Sequence, residues 1–244
     1  MNTLAIHGGR PVRNTSIYYG RHNLDDTDIQ AVVETLKGDL ITQGPKTAEF
    51  EKSLCEFTGA KYSVVLANGT AALHLACLSA GICEGDEVIT TLITFAASAN
   101  CARYCGGKPV FADIDPHTYN ISPQSIREKI TAKTKAVVAV DFAGQAVALD
   151  EITAICRYNN LTLIEDAAHS IGTKYNGVHV GNIADMTTFS FHPVKTITGG
   201  EGGAITTNDE EFYKKLFLLR THGITRDEGL MENARDGLWY YEQL

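Results

Sequence analysis

Alternation is the feature that most constrains this chain. Seven short runs rich in apolar and β-branched residues, at 62–67, 87–91, 109–112, 136–142, 161–165, 186–191 and 204–206, are bounded by turn residues. Between most of them lie stretches with apolar residues at three- and four-residue spacing, at 70–80, 96–104, 123–130 and 149–158, which is a helical period. Strand–helix alternation of this kind implies a mostly parallel sheet with helices on both faces. Burial on both sides also explains a near-continuous apolar run such as AVVAVDF at 136–142. Two amphipathic helices are expected ahead of the sheet, at 25–36 and 46–57, joined by the polar, glycine-containing loop 37–45. A last helix is expected at 209–219, with Asn208 or Asp209 as its N-cap.

The 244 residues suffice for one large domain, or one domain and part of another, with a core that needs neither disulfides nor structural metal. A formal charge of −8 argues against broad nucleic-acid binding, which draws on Lys and Arg neutralising phosphates. Cys55, Cys77, Cys83, Cys101, Cys105 and Cys156 form no C-x-x-C pair and match no zinc spacing, so they are expected to be reduced, small hydrophobes, and no metal site is expected. The opening MNTLAIHGGRPVRN has no signal-peptide pattern, and no segment approaches the roughly 20 apolar residues of a membrane span, so a cytoplasmic protein is expected. Beyond Arg220 the sequence turns polar and irregular, then closes on the aromatic WYYEQL. Such an ending is unlike an exposed natural terminus, and the chain is expected to be cut short.

Three groups carry chemistry, each at the carboxyl end of an expected strand, where open α/β sheets gather ligands. Asn68-Gly69-Thr70 joins a strand to a long helix, and a helix N-terminus of this kind can hold phosphate through its N–H groups and dipole. The alternative is an ordinary helix capped by Asn68 or Thr70. Asp166 closes the apolar run ending LIED; a carboxylate leaving a buried strand is costly unless paired, and a protonated pyridine nitrogen is one such partner. It would otherwise cap the next helix, and Glu165, on the opposite face of the strand, is the weaker candidate. Lys195 follows FSFHPV beside the glycine-rich turn 196–203. Desolvation and a neighbouring positive charge can lower its pKa as Schiff-base chemistry requires, whereas alone it reads as a solvated surface lysine. Ser190 alternates with Phe189 and Phe191, so its hydroxyl can face a phosphate. An anion site, a partner for a ring nitrogen and a reactive lysine, in that order in one α/β domain, are the requirements of pyridoxal 5'-phosphate (PLP).

The chain closely resembles the DegT/DnrJ/EryC1/StrS family of sugar aminotransferases. The resemblance runs almost end to end, through LITQGPKTAEFE, ANGTAALHLA, GDEVITTLITFAASAN, PVFADIDPHTYNI, VDFAGQ, LIEDAAHSIG, FSFHPVKTITGGEGG and LRTHGITRD. It implies the fold type I PLP-dependent transferase fold, whose large domain has a mostly parallel seven-stranded sheet, with the smaller C-terminal domain cut short. On this reading residues 1–45 are an N-terminal segment contributing to the active site, 46–220 the PLP-binding large domain, and 221–244 the start of the truncated C-terminal part. It further implies that Lys195 carries the cofactor and acts as general base and acid, and that Asp166 binds the pyridine nitrogen. Gly69, Thr70 and Ser190 would hold the phosphate, Phe95 would stack on the ring, and His169 would lie near the phenolic oxygen. Tyr19 and the loop Asp39, Leu40, Ile41 and Thr42 would approach a nucleotide-linked sugar. The implied partners are L-glutamate, giving 2-oxoglutarate, and a UDP-linked 4-keto-6-deoxy-N-acetylhexosamine aminated at C4, in a homodimer with a shared active site.

Two positions depart from the family pattern. Gly199 stands where relatives carry Thr, and Leu92 replaces the Pro of a TTPxTF turn. Competing readings are amination of another nucleotide-linked keto-sugar, a sugar 3-dehydrase of the same family, a non-catalytic regulatory protein on this fold, and a nicotinamide-dependent oxidoreductase. Lys195 speaks against the dehydrase, whose members carry His there, and the missing G-x-G-x-x-G speaks against the oxidoreductase.

Overall fold

The apolar, β-branched runs form seven strands of one sheet: β1 (Tyr62–Leu66), β2 (Glu87–Thr91), β3 (Lys108–Ala112), β4 (Thr134–Val140), β5 (Thr162–Asp166), β6 (Met186–Ser190) and β7 (Gly203–Thr207). This computed structural model describes residues 3–18, 20–233, 237 and 239–243. The helical periods become α1 (Asp26–Lys37), α2 (Pro45–Thr58), α3 (Gly69–Ser79), α4 (Ala97–Tyr104), α5 (Pro123–Lys129), α6 (Leu149–Tyr158) and α7 (Glu210–Arg220). Their starts follow local chemistry. Asp25 and Asp28 close a capping box at α1, Pro occupies the first turn of α2 and α5, and Asp209 rather than Asn208 caps α7.

The sheet runs β1-β7-β6-β5-β4-β2-β3. Strands β6, β5, β4, β2 and β3 are parallel, while β7 is antiparallel to both its neighbours, which levels Gly203 with Leu66 at the end of β1 and Ser190 at the end of β6. Helices α3 and α4 cover one face, packing Ala72, Ala76, Cys77 and Cys101 on Val64, Val88, Val138 and Ile164. Helix α6 covers the other, with Leu149, Ile152 and Ile155 against Val137, Ala139 and Leu163. Successive residues of β5 therefore face opposite layers, and Glu165 and Asp166 point apart.

Two details differ from expectation. The turn Asn176-Gly177, both residues at positive φ (49° and 84°), joins a short ribbon of Lys174–Tyr175 with Val178–His179. Asn-Gly is the hairpin signal for such a turn, and the strands flanking it are too short for an apolar alternation to reveal. A second ribbon pairs Ile224–Thr225 with Glu242–Gln243. Among the cysteines, Cys77, Cys101 and Cys156 are buried as expected, but Cys83 is exposed, because it lies in the turn before β2 with its N–H held by Asp86. No described helix is long and apolar enough to cross a membrane.

Candidate active site

The carboxyl ends of β1, β4, β5 and β6 surround one cavity of about 670 Å³, a volume within the usual range for small-molecule sites. Gly69, Thr70, Phe95, Asp166, His169, Ser190 and Lys195 all stand on its wall, so four separate segments of sequence converge on one space.

At one end is the N-terminus of α3. Asn68 Oδ1 accepts the Ala71 N–H at 2.8 Å, and helix geometry leaves the N–H groups of Gly69 and Thr70 without intrahelical acceptors. Ser190 lies against this turn: a Cβ on Gly69 would come within 2.8 Å of Ser190 Cβ. Phe189 and Phe191 are buried in the layer beneath α2, and Ser190 between them faces the cavity. Two free N–H donors, a hydroxyl and a helix dipole converge there, which is the makeup of an anion site.

Also on the wall, Asp166 is 5% exposed. Ser98 Oγ donates to its Oδ2 at 2.7 Å and the Ala168 N–H to its Oδ1 at 3.3 Å. Burial pushes the carboxyl above its ordinary range, and Ser98, the Ala168 N–H and the more distant charges of Lys195 and His169 pull it back. No described cation reaches it at ion-pair distance, so a nearly buried carboxylate faces the cavity without a counter-ion. A protonated ring nitrogen supplies what this position lacks.

Lys195 is set by a turn in which its N–H donates to His192 O at 2.9 Å, while Thr196 Oγ1 donates to His169 O at 3.2 Å and ties the lysine turn to the turn after β5. Burial lowers the Lys195 pKa and the charge of Asp166 raises it. The expectation of a neighbouring positive charge is thus corrected: desolvation lowers this amine, and the charged neighbour acting on it is an acid. Burial also lowers the His169 pKa, with Lys195 adding to the effect. Phe95 is 75% exposed on the rim.

Asp39, Leu40, Ile41 and Thr42 occupy the exposed loop between α1 and α2 and are not brought to the cavity wall. Tyr19 lies outside the described residues. Several wall or supporting residues escaped the sequence reading. Ser98 is the second residue of α4, with no motif to mark it. Phe142, His192 and Glu201 line the cavity from loops. Gly203, counted in the glycine-rich turn, is the first residue of β7, where a Cβ would stand 2.3 Å from the backbone of Asn68. The remaining signal was the GEGG string, which registers flexibility more readily than close approach.

The residues present thus suit a flat group bearing an anion at one end, a protonated nitrogen at the other and a carbonyl facing an amine, as PLP does. Known proteins point the same way. The model of the DegT/DnrJ/EryC1/StrS aminotransferase family matches residues 22–237. The chain is 43% identical over 213 residues to the UDP-4-amino-4,6-dideoxy-N-acetyl-beta-L-altrosamine transaminase of Campylobacter jejuni, covering 86% of this chain and 56% of that one. It is 43% identical over 202 residues to the GDP-perosamine synthase of Caulobacter vibrioides, covering 82% and 54%. Among solved structures, Helicobacter pylori PseC, an aminotransferase of pseudoaminic acid biosynthesis, superposes with a TM-score of 0.84 at 35% identity, covering 93% of this chain and 59% of that one. The PLP form of a putative sugar aminotransferase from Streptococcus pneumoniae superposes at 0.85 with 31% identity, covering 94% and 61%. The chain therefore spans little more than half the length of these relatives.

Proposed function

Since the chain belongs to the DegT/DnrJ/EryC1/StrS aminotransferase family, we propose that it is the cofactor-binding part of a PLP-dependent enzyme that moves an amino group from L-glutamate to C4 of a UDP-linked 4-keto-6-deoxy-N-acetylhexosamine. The single observation that carries the reading is the convergence of Lys195, Asp166 and the Gly69-Thr70 turn on one cavity. PLP is the cofactor of this family, and when bound it supplies a carbonyl for condensation with amines and a ring that takes up the electron pair released from the substrate carbon.

The chain's own residues have separate tasks in this proposal. The N–H groups of Gly69 and Thr70 and the Ser190 hydroxyl hold a phosphate. Asp166 Oδ1 and Oδ2, held by the Ala168 N–H and Ser98, keep a proton on the ring nitrogen. Lys195 Nζ, made easier to deprotonate by burial, serves as nucleophile and then carries a proton to and from the substrate carbon. His169 stands near the phenolic oxygen, and Phe95 covers the ring from the rim. Tyr19 and the loop at Asp39, Leu40, Ile41 and Thr42 belong to the sugar side, in a homodimer whose subunits share the site. The domain division at 45 and 220 is part of the same reading.

A second substrate reading has a specific observation behind it. The GDP-perosamine synthase is as similar to this chain as the altrosamine transaminase, at 43% identity each. A GDP- or dTDP-linked keto-sugar is therefore the alternative acceptor. The experiment has two stages. Borohydride treatment of the PLP-loaded chain, with peptide mass spectrometry, is expected to place the cofactor on Lys195, and absence of label there overturns the assignment. Screening UDP-, GDP- and dTDP-keto-sugars with L-glutamate, in the full-length enzyme, then selects the acceptor.

A further inference from the structure

Behind Asp166, on the opposite face of β5, two carboxyl groups meet out of reach of water. Glu165 and Asp141, the residue after β4, are both fully buried. Thr187 Oγ1 donates to Glu165 Oε2 at 2.8 Å, whereas Glu165 Oε1 has no N–H or O–H donor at hydrogen-bond geometry. Besides Thr187, the groups nearest Glu165 are the Gly181 N–H and the Asp141 carboxyl, which follows Ala139, the partner of Glu165 in the β4–β5 ladder, by two residues and so stands on the same face of the sheet. Asp141 is already an acceptor twice over, from Ser170 Oγ at 2.5 Å and from the Val147 N–H at 2.9 Å. Two ionised carboxylates offer acceptors and no donor, so their contact in a dry interior is repulsive unless one carries a proton. Neither has an ion-pair partner among the described residues. The other groups facing the pair are the Gly181 N–H, toward Glu165, and Asp166, whose charge reaches Asp141.

We propose that Glu165 is a neutral carboxylic acid whose O–H donates to Asp141, and that this shared proton positions the cavity wall. It gives Oε1 a bond and removes the repulsion together. Its leverage is topological. Val147 and Ser170 belong to the two loops that carry Phe142 and His169, and both of those residues line the cavity. Asp141 clamps the two loops to each other, its own N–H donates to Asp166 O at 3.1 Å, and the shared proton fastens Asp141 to β5. Burial raises both carboxyls: Asp141 stands at about 7, opposed by Ser170 and the Val147 N–H, and Glu165 is raised further. Above neutrality the pair holds one negative charge rather than two. That spares Asp166 another carboxylate beside it, a consequence resting on the role proposed for Asp166.

Isotope-edited infrared spectroscopy of the chain tests the proton directly. At about pH 8 ordinary glutamates are ionised, and the expected result is one protonated-carboxyl C=O band that moves on ¹³C-glutamate labelling. A wild-type spectrum containing only ionised glutamates overturns the proposal, whether or not any variant folds. Glu165→Gln keeps a donor without a charge and is expected to lose that band while retaining wild-type PLP affinity. Glu165→Leu, with no donor, is expected to bind PLP about tenfold more weakly. Equal losses in the two variants would mean that Glu165 acts as an anion and would also overturn it. If the band is present but Asp166→Asn binds PLP as tightly as wild type, the role given to Asp166 fails while the shared proton stands.

Discussion

Replacing Gly203 with alanine isolates the contact on which the turn proposed to bind the anion is built. Gly203 opens β7, paired with Leu66 on one side and Ser190 on the other. A Cβ there would lie 2.3 Å from both C and O of Asn68 and 2.8 Å from Gly69 N. All three are backbone atoms, so no rotamer change relieves the overlap. Withdrawal of β7 is blocked by its ladders on both sides. The Asn68–Gly69 turn must then retreat by roughly 1 Å to regain a van der Waals separation of about 3.5 Å. Overpacking of this kind costs about 1–3 kcal/mol. The retreat also strains the Asn68 cap on Ala71, a further 1 kcal/mol or so. The expected loss is about 2–4 kcal/mol of folding stability, read as a lower urea midpoint at unchanged slope. PLP affinity, followed by absorbance, is expected to fall about tenfold or more as the Gly69 and Thr70 donors leave their places. Gly199→Ala is the control: its nearest neighbour would be Glu201 O at 3.5 Å, and neither glycine has a positive φ. That variant is expected to stay within about 0.5 kcal/mol of wild type. A Gly203→Ala protein with wild-type midpoint and wild-type PLP affinity would refute the steric argument.

Three other outcomes follow from the site. Lys195→Ala is expected to abolish borohydride-fixed PLP labelling while leaving the urea midpoint within about 0.5 kcal/mol, because the half-buried lysine makes no ion pair among the described residues. The rate at which Lys195 reacts with an amine-directed reagent, followed against pH, is expected to give a midpoint below the ordinary lysine value; since Asp166 opposes that lowering, Asp166→Asn should move the midpoint further down, and an upward move would contradict the assignment. Ser98→Ala removes the donor to Asp166 Oδ2 and is expected to cost about 1.5–3 kcal/mol near neutral pH. Because Ser98 favours the ionised carboxylate, that deficit should shrink as acid protonates Asp166, which denaturation at two pH values will measure.

The sheet was legible because its strands are buried runs between strong turn residues, and the observed strand limits depart from the expected ones by at most two residues. The places of Asp166 and Lys195 on the cavity wall were legible for a related reason: a charged side chain at the end of an apolar strand, or a few residues beyond it, is costly enough to attract notice. Ser98 carried no such mark, since a serine in the first turns of a helix is ordinary until its position across from β5 is known. The Asp141–Glu165 contact was equally hidden, because it joins residues 24 apart by sequence number that meet only where β4 and β5 pair. Alternation did place Glu165 on the face away from Asp166, but no pattern names what waits on that face.

Reversal of one strand explains why the proposed anion site needs its particular small residues. Had β7 run parallel to β1 and β6, its carboxyl end and a following loop would fill the mouth of the sheet. Running the other way, it brings its first residue level with the last residues of both neighbours, directly beneath the turn that opens α3. Strand β7 and the turn can coexist only if Gly203 lacks a Cβ, and the turn can approach β6 only if Gly69 lacks one, since that atom would meet Ser190. Two glycines and one small hydroxyl residue, far apart in sequence, are thus a single packing solution. The same logic separates the cofactor from the sugar. The groups proposed to hold a phosphate and a ring nitrogen lie at or just beyond strand ends, whereas Asp39, Leu40, Ile41 and Thr42 sit on an exposed loop away from the wall. On the proposed reading, acceptor choice would change through such loops without disturbing the sheet that positions Lys195 and Asp166.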